Sequence, residues 1–143
     1  MSSSFSLPVS AMKSWQLLSV QGVDASSFLH SQLTQDVKGL APNQWRYAGY
    51  CNSKGRMYST SLIWRLSPEQ VFMMVPENNA DFLIKRLSMF IMRSKVKLQP
   101  LGREMLVIGL LDQAAAPLLD ANTLDAGEFS SLDKNAFLLN CST

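Results

Sequence analysis

Trp15-Gln16-Leu17-Leu18-Ser19-Val20-Gln21-Gly22-Val23-Asp24-Ala25-Ser26-Ser27-Phe28-Leu29-His30-Ser31-Gln32-Leu33-Thr34-Gln35-Asp36-Val37 is the stretch that decides the fold. Leu18 and Val20 alternate with polar neighbours, the period of a half-buried strand. Gly22 ends that strand. Asp24 follows as an expected helix N-cap, its carboxylate accepting from backbone donors two or three residues on. Val23 and Phe28 stand at the positions of a hydrophobic staple. Ala25, Phe28, Leu29 and Leu33 then share one apolar helical face. The local plan is strand, tight turn, capped helix.

The pattern extends outward from there. Residues 5–12 are expected to form a short edge strand, with Pro8 arguing against a central one. Residues 34–44 hold Gly39 and Pro42 and connect the helix to an aromatic strand over 45–51. Asn52-Ser53-Lys54-Gly55 reads as a turn, with Gly55 free to take positive φ, and 56–66 as the returning strand of a hairpin. Residues 70–75 make a third strand of the meander. A second helix opens over 76–79, with Asn78 or Asn79 as cap and Leu83, Leu87, Phe90 and Ile91 on its apolar face. A strand over 94–99 follows, with Val96 and Leu98 inward and Lys95 and Lys97 toward solvent. The order β-α-β-β-β-α-β is an elaborated ferredoxin-like α+β plan.

After Gly102 a second pattern starts: a strand over 105–110, a helix over 114–119 with Asp112 as cap, and a strand pair around Asp133-Lys134-Asn135. This predicts a tail with an edge strand over 1–12, a first domain over 13–100, and an incomplete second α+β unit over 101–143. The chain is read as a truncated family member or an expressed fragment. An uncovered apolar face predicts that the second unit docks on the first domain or self-associates.

Composition narrows the function classes. Of 143 residues, 47% are hydrophobic and 17% charged, so the chain is globular rather than disordered. A net charge of +2 does not by itself point to nucleic acid. Cys51 and Cys141 lack metal-ligand spacing, so neither a zinc site nor a disulfide framework is expected, and a cytoplasmic setting is the default. No apolar run reaches membrane-spanning length.

The run Gly22-x-Asp24-Ala25-x-x-Phe28-Leu29-x-x-Gln32-x-Thr34-x-Asp36-Val37, followed by a strand and Lys54-Gly55-Arg56, resembles the amino-terminal half of the folate-binding YgfZ family. That family is tRNA-modifying and iron–sulfur-related, and is similar to the T protein (aminomethyltransferase) of the glycine cleavage system. The resemblance spans roughly residues 15–98. It implies a tetrahydrofolate cofactor, iron–sulfur tRNA-modifying enzymes as partners, and an accessory role rather than turnover. Longer members continue into a Lys-Gly-Cys-x-x-Gly-Gln-Glu motif that does not occur in this sequence.

Candidate binding residues follow from that resemblance. Trp15 matches a family tryptophan associated with folate, and an indole stacks on a flat pterin while donating one hydrogen bond. The alternative is a strand-end aromatic that only packs. Lys54, Gly55 and Arg56 form a hairpin tip whose cations suit a folate glutamate tail or RNA phosphate; the alternative is a solvated turn. Ser59 and Thr60 stand where the T protein carries adjacent aspartates, and hydroxyls are poor bases for aminomethyl transfer. No catalytic residue is assigned. Asp24, Gln32, Thr34 and Asp36 read as structural, Asp36 through an Asx-type bond, and His30 as a surface residue. Arg93, Lys95 and Lys97, with Met89 and Met92, form a possible RNA or partner surface, set against a plain solvent face. The competing functions are a folate-dependent aminomethyltransferase and a ligand-free interaction module.

Overall fold

Strand pairing sorts the apolar residues onto two faces of one antiparallel sheet. The computed structural model describes residues 9–11, 14–42, 44–101, 108–110, 129–133 and 136–139. In chain order the elements are β1 (Val9–Ala11), β2 (Trp15–Gln21), α1 (Ala25–Gln32), β3 (Trp45–Cys51), β4 (Met57–Ser67), β5 (Gln70–Pro76), α2 (Glu77–Met89), β6 (Lys97–Pro100), β7 (Ile108–Leu110), β8 (Phe129–Asp133) and β9 (Ala136–Leu139). The main sheet has five strands in the order β3-β4-β5-β2-β6. This is the expected α+β plan of five strands and two helices, with β5 at the centre and β2 between β5 and the edge strand β6.

The helices cover one face. Leu18 and Val20 of β2, Ile63 of β4 and Met73 of β5 meet Phe28 and Leu29 of α1 and Leu83 and Leu87 of α2 in a single core. Val96 and Leu98 pack against this core while Lys95 and Lys97 stay exposed, as their alternation requires. Phe90 departs from its expected inward place. The helix ends at Met89, so Phe90 falls in the C-cap and turns outward.

The opposite face carries rows of aromatic and long side chains set by the register. Ser19, Phe72, Trp64 and Trp45 lie side by side, and Leu17, Met74, Leu62 and Tyr47 form the next row. Leu101 and Phe129 close over part of this face, with the Phe129 ring 6.4 Å from Trp64. Leu101 and Phe129, both from the segment beyond residue 100, thus contact the first sheet. β1 pairs antiparallel with β7, so the amino-terminal edge strand takes its partner from beyond residue 100. β8 and β9 form the expected hairpin. The helix over 114–119, its Asp112 cap, the first residues of the strand over 105–110, residues 1–8 and Cys141 lie outside the described residues.

Three local expectations need correction. Asp24 occupies the N-cap position of α1 but makes no side-chain cap bond; its Oδ2 accepts from the Lys95 backbone N–H at 2.8 Å. Val23 is exposed, so no staple forms with Phe28. α2 starts at Glu77 with Pro76 as cap, leaving Asn78 and Asn79 inside the first turn. The Asp24 bond explains Gly22. With φ +143°, an added Cβ would lie 2.0 Å from the Lys95 carbonyl oxygen, so the β2–α1 turn and the strand approach to β6 interlock at a residue without a side chain.

Candidate functional site

Trp15 begins β2 on the aromatic face, paired with Pro76 at the far end of β5. β6 pairs with β2 only from Leu18 onward, so it does not flank Trp15. Trp15 is half-buried against the Leu17–Trp64–Phe72 cluster. With Ser14, Pro76, Glu77 and Asn78 it lines a shallow, open depression of about 410 Å³. The Glu77 backbone N–H donates to the Ser14 carbonyl at 2.8 Å, fixing the helix start beside the indole. This places an aromatic plane, a carboxylate and a primary amide around one hollow.

Glu77 and Ser14 were not among the residues singled out from sequence. Ser14 is the chain neighbour of Trp15, whereas Glu77 reaches it only because β2 and β5 pair antiparallel and α2 follows β5 directly. The one local signal is a Pro-Glu step opening a helix next to a strand end.

The hairpin tip is rigid. Asn52 Oδ1 accepts from the backbone N–H groups of Lys54 and Arg56, each at 2.9 Å, and the Asn52 N–H donates to the Arg56 carbonyl at 2.8 Å. Gly55 sits at φ +81° with open space around it. Lys54 and Arg56 are exposed and enter no ion pair among the described residues. Replacing Asn52 with alanine removes the single oxygen that accepts both of these bonds. It is expected to cost about 1–2 kcal/mol and to lower the Tm by roughly 5 °C in a thermal melt.

The tip and Trp15 belong to the same end of the sheet but not to one pocket. Two strand spacings, with β5 between, and about four residues along the strand separate them, roughly 15 Å from the usual strand spacing and rise. Lys54, Gly55 and Arg56 do not line the Trp15 depression. Only an elongated ligand lying along the face reaches from one to the other.

Ser59 and Thr60 part company. Ser59 pairs with Tyr50 and points to the helix side, its Oγ buried without a partner. Thr60 shares the face of Trp15 and is exposed, its hydroxyl donating to Met57 Sδ at 3.1 Å. Thr60 is thus the hydroxyl nearer the open face. The remaining candidates serve the scaffold. Thr34 Oγ1 accepts from the Gly49 N–H at 2.8 Å. Asp36 Oδ1 accepts from the Gly39 N–H at 2.9 Å and lies 3.3 Å from His30 Nδ1. Among the described residues no cluster of His, Cys, Asp or Glu is suited to a metal, and no helix is long and apolar enough to cross a membrane.

Comparison with known proteins fits this architecture. Residues 8–135 match the family model described as the GCVT N-terminal domain. An uncharacterized protein of Haemophilus influenzae is 28% identical over 130 residues, covering 91% of this chain and 44% of that protein. The crystal structure of glycine cleavage system aminomethyltransferase T from Bartonella henselae superposes with a TM-score of 0.80 at 19% identity, over 90% of this chain and 37% of the other. The chain thus spans less than half the length of these relatives. The match over most of its residues places this chain in the GCVT N-terminal domain family.

Proposed function

We infer that this chain supplies one wall of a tetrahydrofolate site and acts as a folate-binding accessory protein of the YgfZ type. The carrying observation is the depression in which half-buried Trp15 stands beside Glu77 and Asn78, in a chain of this family. These residues fit a reduced pterin. The indole offers a flat apolar surface. The Glu77 carboxylate suits the paired N–H donors of an aminopyrimidinone edge, since a charged acceptor strengthens such bonds. The hollow is open and shallow, so this chain alone forms one side of the site. Lys54 and Arg56, exposed cations at the same end of the sheet, suit the anionic glutamate tail of a ligand extended along it.

Binding without turnover is favoured by the residue types on the open face. The family's aminomethyl transfer requires a base, and Thr60 presents a hydroxyl there. Support of iron–sulfur enzymes and of tRNA modification is the physiological role that the YgfZ resemblance implies for such a binder. The competing reading is aminomethyl transfer, drawn from the name of the Bartonella henselae relative. Folate-dependent turnover of an aminomethylated lipoyl carrier by the purified chain would establish it.

The test of the binding reading is calorimetric titration with a reduced folate of wild type, Trp15→Phe and Trp15→Ala. Stacking adds about 0.5–1.5 kcal/mol beyond area burial, so Trp15→Ala is expected to weaken binding roughly tenfold and Trp15→Phe less. Equal affinities in all three would reduce Trp15 to a packing residue.

A further inference from the structure

The outer face of α2 carries a second feature, separate from the Trp15 hollow. A β-bulge falls where Tyr50 pairs with Ser59 but Cys51 with Met57, leaving Tyr58 as the extra residue. The bulge turns Tyr58 toward α2. Its ring lies 5.9 Å from Tyr50 and 5.3 Å from Phe82, the latter edge-on. Arg86, one helical turn after Phe82, lays its guanidinium 5.5 Å from the Tyr58 ring centroid and 6.0 Å from that of Phe90. Phe82, Arg86 and Phe90 thus form an i, i+4, i+8 stripe with a cation held between aromatic rings.

Two properties set Arg86 apart from a solvated surface arginine. Its Nε is buried and meets no hydrogen-bond acceptor. The group also enters no ion pair among the described residues. A buried guanidinium nitrogen with no acceptor is unusual, because such groups are normally satisfied. The rings around it are themselves open. Phe82, Phe90 and Tyr58 are each more than a third exposed, Met89 is 64% exposed, and Met92 is 86% exposed. Met92 also stands at φ +46°, a left-handed backbone that a non-glycine side chain rarely adopts. Behind Phe90 opens a shallow hollow of about 400 Å³, lined in part by Phe28, Arg93 and Ser94.

Aromatic residues, methionine and arginine are the types enriched in protein–protein interfaces. Methionine adapts to varied apolar partners. The pre-set guanidinium fork selects a planar carboxylate. The flanking charges are mixed, Lys85 and Arg93 against Asp81, which is a poor track for a polyanionic backbone. An isologous pairing of two copies would bring this face against one whose central polar group is also a guanidinium. We propose that the Tyr58–Phe82–Arg86–Phe90 face docks a protein segment carrying a glutamate or aspartate between apolar side chains. The carboxylate meets the terminal nitrogens of Arg86, and the apolar neighbours cover Phe82, Phe90 and Met92.

The probe is a fluorescein-labelled synthetic peptide alternating glutamate with leucine and phenylalanine, read by anisotropy against the full chain. Its partner is the same peptide with glutamine for every glutamate. A Kd of about 100 μM is expected for the first peptide. The glutamine peptide and Arg86→Gln should each weaken binding roughly tenfold, the scale of one lost charge-assisted contact, while Lys85→Gln leaves it unchanged. The peptide substitution keeps the test valid even where an Arg86 variant unfolds. Equal affinity for both peptides, or no binding to wild type at millimolar peptide, would overturn the proposal. Displacement of the peptide by a shorter, equally charged oligouridylate would do the same, assigning the face to nucleic acid, as would peptide binding that appears only with dimerisation.

Discussion

Replacing Gly22 with alanine is expected to cost about 4 kcal/mol and to lower the Tm by some 10–20 °C. Two penalties act at once. The residue sits at φ +143°, where an L side chain is strained, and the new Cβ would fall 2.0 Å from the Lys95 carbonyl oxygen and 3.0 Å from Val96 Cα. Those atoms are backbone, so no rotamer relieves the contact. The Gly22 N–H also donates to the Glu69 carbonyl at 2.9 Å, and the Gly22 carbonyl accepts from the Ala25 N–H at 3.0 Å. A shift that frees the Cβ must therefore disturb the β4–β5 turn or the start of α1. Chemical denaturation of Gly22→Ala beside wild type measures the loss. A change under about 1 kcal/mol would mean that the β2–α1 turn and the segment before β6 do not interlock as described.

Trp64→Ala is expected to cost about 3–5 kcal/mol, the range for deleting a large aromatic from a core. Trp64 is 1% exposed and stacks on Phe72 with ring centroids 5.7 Å apart. It also meets Phe129, so the indole joins the sheet to the β8–β9 hairpin. The substitution should do more than destabilise. It should release the hairpin first, seen as faster amide exchange over residues 129–139 than in the helix-side core. Uniform loss of protection across the chain would contradict a separable docking of the carboxy-terminal residues. A Phe129→Ala variant isolates the hairpin contribution, with a smaller loss because its partner face stays covered by Leu101.

The sequence was most informative where one local pattern sufficed. β2 and β3 have the bounds that alternation and flanking turn residues predict, and the α1 face of Ala25, Phe28, Leu29 and Leu33 is buried as its period requires. Long-range choices were not visible. Asp24 has the chemistry of a cap, yet its carboxylate goes to a backbone donor 71 residues away. No local window contains that partner. Phe90 fits the periodicity of α2 but falls just past its last turn. Val9–Ala11 carries too few residues to announce its pairing with Ile108–Leu110.

The candidate site shows the same division. Trp15 and the Lys54–Gly55–Arg56 tip were legible as chemistry: a lone aromatic at a strand start and cations on a glycine turn. Their separation across the sheet depends on strand order, which spacing along the chain does not encode. Glu77 carries no binding signal in the sequence, because a glutamate in a first helical turn is ordinary helix chemistry. Its place beside Trp15 comes from the β2–β5 register.

The central claim is that a reduced folate lies on Trp15. The chain has three tryptophans, and their indole N–H signals report on three different places. Trp15 lines the open hollow, whereas Trp45 and Trp64 are buried in the cluster beneath Leu101 and Phe129. A ¹⁵N-edited titration with the stable 5-formyl derivative of tetrahydrofolate tests it directly. The expected result is a saturable shift of the Trp15 indole signal, assigned by its loss in Trp15→Phe, with the Trp45 and Trp64 signals unmoved. A Trp15 signal that stays fixed at millimolar folate would contradict the account.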